Sequence, residues 1–384
     1  MCWEVESMNY KTSILARMLY LLSVMLLLLL ILVSTYNSTS SPDLPNIQLQ
    51  YKPVSITGNT YYLITQDGTL LVWGENINDF DSLGKEFVIN GSITAKPIAS
   101  DVTAVFSGRF DLLALNRSGE LLGWYRFAYS KALGKYQDIK QANIPRILLN
   151  DVVSADIGLS HYLAIRSDGF LYGGGDNKYS QLGTATADEW VDTPVQIFDA
   201  QVLSAATDGL NGNYCVFLDH SLVFWGISSQ NGITYSEPIP IADHIIRVFP
   251  GNLALSEENT LYQIRYHSDF SKFTLEKILD DVKWASDCVA IKNDGSLWAW
   301  GNDQPIANYD YTSDEFLYAI RQSIPSKILD SALYSARGLF YTLIVQPDGT
   351  VLQLPNYEIM KQEQKNSSWI TYPYVIPFHV LQPY

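Results

Sequence analysis

The sequence predicts an all-β protein, a seven-bladed β-propeller preceded by one N-terminal transmembrane helix. Three observations carry this expectation. A hairpin dipeptide recurs at regular spacing, two aliphatic columns keep fixed offsets from it, and one long apolar run stands ahead of the whole array.

The dipeptides are Asp67-Gly68, Ser118-Gly119, Asp168-Gly169, Asp294-Gly295 and Asp348-Gly349, with glycines 51, 50, 126 and 54 residues apart. Such a dipeptide between apolar stretches predicts a tight primed turn, because that turn needs positive φ. The wide gap is expected to hold two degenerate units, with His220 and Asn259 as turn residues that tolerate positive φ. Four residues before each anchor stand Ile64, Leu115, Ile165, Val216, Leu255, Ile291 and Val345, all aliphatic. Two residues after stand Leu70, Leu121, Leu171, Leu222, Leu261, Leu297 and Val351. Five before, small side chains dominate, as in Ala114, Ala164, Cys215, Ala254 and Ala290. Five after, Trp73, Trp124, Trp225 and Trp300 recur. Two unbroken columns of seven define seven units.

Each unit opens on a short apolar strand and a turn, marked by Gly58, Gly108, Gly158, Gly209, Gly251 and Gly338; unit six has Ser286-Asp287 there instead. A strand, the hairpin, a third strand and a variable loop follow. Most units close on a proline-marked stretch at Pro97, Pro145, Pro194, Pro240 or Pro325, and proline suits a sheet edge where no ladder donor is needed. Strand-rich units repeated seven times predict a propeller, whose blades bury both faces and so read as continuous apolar runs.

At this point the residues carry a family resemblance. Unit three, from Val152 to Gly183, resembles the regulator-of-chromosome-condensation repeat: Gly158-Leu-Ser-His161, a Leu-Ala-Ile strand, Asp168-Gly169, an aromatic-Gly pair, and Asn177-Lys-Tyr-Ser-Gln181-Leu-Gly183. Trp73-Gly74, Trp225-Gly226 and Trp300-Gly301 match the Trp-Gly of that pattern, over a region running from about Val54 to Tyr384. The resemblance implies a seven-bladed propeller. It also implies either guanine-nucleotide exchange on a small nuclear GTPase or tight protein binding, as in secreted bacterial members that inhibit β-lactamases. No residue matches an exchange site, and fold alone does not fix function.

Met18 to Val33 is almost wholly aliphatic, and from Ile14 the run is 20 residues, or about 30 Å as a helix. Lys11 and Arg17 precede it, so the positive-inside rule places residues 1–17 in the cytoplasm, the anchor at 18–33, a linker at 34–50 and the propeller, 51–384, on the extracytoplasmic side. A cleaved signal peptide, giving a secreted chain, is the competing expectation. The net charge of −15 argues against nucleic acid, which draws affinity from clustered Lys and Arg. Cys215 and Cys288 fall in non-adjacent units and read as buried thiols.

No catalytic or metal-binding pattern emerges, and no cofactor is expected. The five histidines lack metal-ligand spacing, and His161 reads as a structural hydrogen-bonding group. Gly173-Gly174-Gly175 opens no helix and reads as a strand end. The pairs Asp188-Glu189, Glu257-Glu258, Asp280-Asp281 and Asp314-Glu315 read as loop charges, and the hairpin turn accounts for the Asp67, Asp168, Asp294 and Asp348 column. The functional expectation rests instead on aromatic residues in the variable loops: Tyr129, Tyr179, Trp190, Tyr235, Tyr309 and Tyr311, since aromatics on rigid loops make interface hot spots. A protein partner is expected there. A cell-surface glycan, or hydrolysis at the central channel by two carboxylates, are the alternatives.

Overall fold

The computed structural model describes residues 50–58, 60–74, 95–109, 111–125, 145–184, 186–268, 272–301, 324–338, 341–355, 374–376 and 380. All lie in the second of the two units into which the chain divides, Ile47–Tyr384. They form seven antiparallel four-stranded sheets, the blades, spanning 54–99, 102–149, 152–196, 202–242, 245–279, 282–329 and 334–376, each with its strands paired in chain order. The expected anchor at 18–33 lies outside the described residues; among those described, no helix is long and apolar enough to cross a membrane.

The two aliphatic columns face each other across the second and third strands. Ile64 pairs with Leu70, Leu115 with Leu121, Ile165 with Leu171, Val216 with Leu222, Leu255 with Leu261, Ile291 with Leu297 and Val345 with Val351. All fourteen are buried. Side chains alternate along each strand, so one blade feeds two interfaces. Tyr62, Ile64, Leu70 and Val72 pack toward blade 2, while Tyr61, Leu63, Leu71 and Trp73 pack toward blade 7. The apolar core is accordingly seven clusters, one between each pair of neighbouring blades. Where the tryptophan column lapses at Gly174, the Tyr162 ring fills the space, and a Cβ there would stand 2.7 Å from its hydroxyl.

The hairpins differ from the two-residue primed turn expected. In blade 1 the Gly68 amide donates to Thr65 O (2.8 Å) and the Thr65 amide to Thr69 O (2.9 Å); Gly68 has φ +85°, and Asp67 is not among the positive-φ residues. This is a three-residue loop, a type I turn followed by a left-handed bulge residue. The reason lies in the aspartate. Its carboxylate accepts the amide two residues on, bridging the bulge, in Asp67–Thr69, Asp168–Phe170, Asp219–Ser221, Asp294–Ser296 and Asp348–Thr350 at 2.8–3.2 Å. His220 (φ +67°) and Asn259 (φ +60°) fill the bulge position in blades 4 and 5, as the sequence predicts.

The carbonyl of that bulge residue accepts the amide that opens the next blade's first strand. The series runs Gly68–Val102, Gly119–Val152, Gly169–Val202, His220–Ile245, Asn259–Val282 and Gly295–Ala332, and the seventh link is Gly349–Val380, all at 2.8–3.2 Å. Val380 also bridges Thr65, as Val102 pairs with Asn116 in blade 2. The C-terminal segment thus supplies the opening position of blade 1. The chain's own approach to blade 1 leans instead across the inner strands of blades 2 and 3: the Gln50 amide donates to Val153 O (2.7 Å) and the Val105 amide to Lys52 O (3.0 Å).

Prolines mark the outer strands as expected: Pro97, Pro194 and Pro240 lie in fourth strands, and Pro145 and Pro325 just precede them. Cys215 and Cys288, in blades 4 and 6, are not joined by a disulfide. Val380 is 1% exposed and packs with the blade 1–blade 7 cluster. Val380→Ala removes two buried methyl equivalents at the closing link and should lower unfolding free energy by about 2 kcal/mol. Urea titration should show the lower midpoint, with faster exchange of the amide at position 380 that donates to Gly349 O.

Candidate functional site

Alternating strand direction puts the first turns and the third-to-fourth strand loops of every blade on one face, here the loop face. The bulged hairpins occupy the other. Four of the variable loops, at 75–94, 126–144, 302–323 and 356–373, lie outside the described residues, and with them Tyr129, Tyr309 and Tyr311. Blades 3 and 4 supply the best-described part of the loop face.

There the repeat motif builds a scaffold. Asn177 Oδ1 accepts the Leu182 amide (2.8 Å), and its Nδ2 donates to the Thr186 and Asp188 carbonyls (3.2 Å each). The Gln181 carbonyl accepts Asn213 Nδ2 and the Trp225 indole N–H of the next blade, both at 2.9 Å. His161 Nε2 donates to Asn213 Oδ1 (2.6 Å), and burial holds its pKa below the ordinary value against that bond, so the ring is neutral and structural. Gln181 Nε2 and Ser160 Oγ both donate to Asn211 Oδ1 (3.3 and 2.8 Å). The loop of blade 3 and the first turn of blade 4 are thereby one hydrogen-bonded unit.

On it, the aromatic residues singled out from the sequence separate. Tyr179 is 37% exposed. Trp190 is half-buried at the start of the fourth strand of blade 3, its indole N–H on Asp192 Oδ1 (3.0 Å). Tyr235 lies in the fourth strand of blade 4 with its ring edge-on to Phe224 (5.7 Å) and Phe273 (6.3 Å), in the core between blades 4 and 5. Two aliphatic residues outside that aromatic set are also exposed on the loop face: Leu210, 46% exposed, in the first turn of blade 4, and Ile233, 47% exposed, in its variable loop. Their signal was an apolar residue inside a turn of polar and glycine neighbours.

At the centre of the same face, first strands from all seven blades surround a funnel of about 180 Å³. Lys52 rises from the displaced N-terminal segment, with its ammonium over the Phe106 ring (4.9 Å). Asp156, next to last in the first strand of blade 3, accepts the Thr207 amide (2.8 Å) and hydroxyl (3.1 Å) from blade 4. Asp287, with φ +48°, stands where blade 6 lacks its turn glycine. Burial pulls the Lys52 pKa down, against the nearby Asp156 and Asp287 charges. Burial also pushes both carboxyls above their ordinary value, against Lys52 and Thr207 for Asp156, and against Arg337 and Lys52 for Asp287. Of the acidic pairs picked from the sequence, the three among the described residues do not line the funnel: Asp188-Glu189 lies in a loop, and Glu257-Glu258 and Asp280-Asp281 in turns; Asp314-Glu315 lies outside the described residues. Nor is Asn116, which heads an Asn-x-Ser sequence, placed for modification, since it is 9% exposed and donates to Glu120 Oε2 (2.6 Å). Among the described residues no group of His, Cys, Asp and Glu is arranged to hold a metal ion.

The funnel charges fix a pH dependence. With both carboxyl pKa values above 3.8 in the folded state, their contribution to stability is complete below that value and is lost as pH rises through the raised values. Lys52→Met removes the cation that restrains this rise. Its destabilisation should be small near pH 4 and reach about 2–3 kcal/mol by pH 8, short of a fully buried pair because Lys52 and Asp287 are partly exposed. Urea midpoints at the two pH values test this.

No protein-family model matches the chain. Solved structures match it over most of its length. Human WBSCR16 is similar at 15% identity and a TM-score of 0.58, covering 78% of this chain and 87% of that one. Prp20p of Saccharomyces cerevisiae, described with its binding properties to Gsp1p and histones, is similar at 14% identity and a TM-score of 0.57, covering 80% and 82%. The structure of Kap60 bound to yeast RCC1 (Prp20) matches at 14% identity and a TM-score of 0.58, covering 82% and 81%. With the seven bladed sheets, these likenesses give the chain the propeller fold of the regulator-of-chromosome-condensation type.

Proposed function

We propose that this propeller works by binding a protein against its loop face, without catalysis, and that it does so on the extracytoplasmic side, tethered through residues 14–33. The observation that carries the reading is the set of exposed apolar side chains on rigid supports across blades 3 and 4. Tyr179 is fixed by its amide on Gln181 Oε1 (2.9 Å), Leu210 by its amide on Asp208 Oδ1 (2.9 Å), and Ile233 by its amide on Asn231 Oδ1 (2.9 Å). These bonds fix the backbone that carries the three side chains, and backbone ordered before association loses little entropy on binding, which is a property of an interface anchor. Similar propellers give the same direction of support, since Prp20p was described with its binding to Gsp1p and histones and yeast RCC1 (Prp20) in complex with Kap60. The apolar run and the basic residues before it support the outward placement.

A second reading, hydrolysis in the funnel, is favoured by Asp156 and Asp287. Against it, Lys52 acts on both carboxylates and is positioned as their counter-ion. Binding is the better account.

Leu210→Asp combined with Ile233→Asp should leave the unfolding midpoint within about 0.5 kcal/mol of the parent, as expected for exposed positions. In affinity capture from extracytoplasmic extract, a specific partner retained by the parent should be lost from this variant. Equal recovery by both would remove the loop-face reading. Protease added outside intact cells should digest the propeller, and protection until lysis would overturn the outward placement.

A further inference from the structure

The exposed apolar residues of blades 3 and 4 share their loops with one sign of charge. Asp176, Asp188, Glu189 and Asp192 stand in or at the ends of the blade 3 loop that carries Tyr179, and Asp208 opens the blade 4 turn that carries Leu210. Lys178 is the single cation on these two segments, and its ammonium lies over the Tyr179 ring (5.8 Å). None of the five carboxylates forms an ion pair among the described residues, and Asp188, Glu189 and Asp192 are exposed. Hydrogen bonds hold acids and apolar residues on one frame. The Asn177 amide donates to Glu189 O (2.8 Å), returning the acidic end of the loop to the segment that leads into Tyr179. Gln181 accepts the Tyr179 amide and donates to Asn211, next to Leu210. Asp208 accepts the Leu210 amide (2.9 Å) through one oxygen and the Ser229 amide (3.3 Å) through the other, and the Ser228 amide donates to Ile233 O (3.0 Å). Amide donors satisfy these carboxylates without cancelling their charge. Its field reaches the interior: behind the larger effect of burial, Asp208 raises the Tyr214 phenol further.

We infer that the partner of this face is a cationic protein surface, with lysine or arginine side chains set among apolar ones. The inference rests on the loop-face reading proposed above and names the chemistry of its partner. Seating a protein on Tyr179, Leu210 and Ile233 takes water away from the carboxylates on the same loops. A neutral or acidic partner leaves those charges desolvated and unmatched, which opposes binding. A cationic partner meets them with charge-assisted hydrogen bonds, for which Asp188, Glu189 and Asp192 have no competing ion-pair partner among the described residues. The apolar residues supply contact area and the acids decide what may cover them. The chain's net charge of −15 steers cations toward every part of it, so the test separates local matching on this face from attraction to the chain as a whole.

Three synthetic peptides serve as probes, sharing their leucine and tryptophan positions and carrying lysine, serine or glutamate between them. Each is titrated into the full chain by calorimetry at low salt and at about 0.15 M, where the screening length is about 8 Å. The lysine peptide should bind saturably and roughly tenfold tighter than the serine peptide, with the glutamate peptide weaker still. Asp188→Asn, Glu189→Gln and Asp192→Asn together change exposed positions and should keep the unfolding midpoint. This variant should weaken the lysine peptide by roughly tenfold and flatten its salt dependence. A matched control, Asp199→Asn, Asp243→Asn and Glu258→Gln, removes as much charge from exposed positions on the hairpin face and should shift the affinity by roughly twofold at most. No binding of the lysine peptide, equal binding of all three peptides, undiminished binding by the loop-face variant, or equal loss in the control would each overturn the assignment. Leu210→Ser with Ile233→Ser removes apolar area without adding charge and reads the loop-face contact itself. If it weakens all three peptides alike while the loop-face acids have no effect, the cationic assignment falls and the loop-face reading stands. If it leaves every affinity unchanged, the loop-face reading falls and the inference with it.

Discussion

One hydrogen bond, repeated around the ring, sets the terms for everything else: the amide that opens a blade donates to the bulge carbonyl of the hairpin before it. For that carbonyl to face the next blade, the bulge residue adopts positive φ, which is why glycine, His220 or Asn259 stands there. The preceding aspartate stabilises the same turn by accepting the amide beyond the bulge. Fixing the hairpin fixes the register of the second and third strands, and with it the cross-strand aliphatic pairs that fill each inter-blade cluster. The link is single and modest, but it decides which apolar face meets which.

Ring closure then determines what reaches the centre. Val380 takes the seventh link, so residues 50–53 cannot lie where the other blades place the start of their first strands. They cross toward blades 2 and 3 and bring Lys52 to the funnel, where Asp156 and Asp287 would otherwise be two carboxylates with less compensation in a confined space. The funnel's electrostatics are therefore a consequence of how the ring shuts, and the closing contact and the candidate site are mechanically one problem.

The blades were legible because their signals are local. Turn residues, aliphatic columns and edge prolines recur within each unit, and the structure places all of them as expected except that Asp-Gly makes a bulged rather than a primed turn. That difference turns on a side-chain hydrogen bond which the dipeptide alone does not specify. The funnel was not legible, because Lys52 comes from the segment ahead of blade 1 and Asp156, Asp287 and Arg337 from three separate blades, and no two share a sequence window. Asp156 did carry a faint signal, an acidic residue closing an apolar inner strand, and so did Asp287, which replaces a turn glycine. The aromatic criterion for the loop face selects Tyr235, whose ring packs into the core, and does not register the exposed aliphatic residues Leu210 and Ile233.

The two faces of the ring carry different constraints. On the hairpin face, six bulge carbonyls must meet the next blade and a seventh must meet Val380, so length and turn chemistry there are nearly fixed. On the loop face no such bond is required, and the third-to-fourth strand connection ranges from the short step between His267 and Lys272 in blade 5 to the stretch between Ala299 and Ser326 in blade 6. Chemistry that varies without breaking the ring is therefore confined to one side, and the funnel opens on that side. A protein seated on the loop face would also exclude water from the funnel mouth. Lower local dielectric would strengthen the attraction of Lys52 for Asp156 and Asp287, while making an unmatched group more costly. The apolar anchors at the periphery and the charged centre would then act together, the first supplying contact area and the second selecting what may be buried.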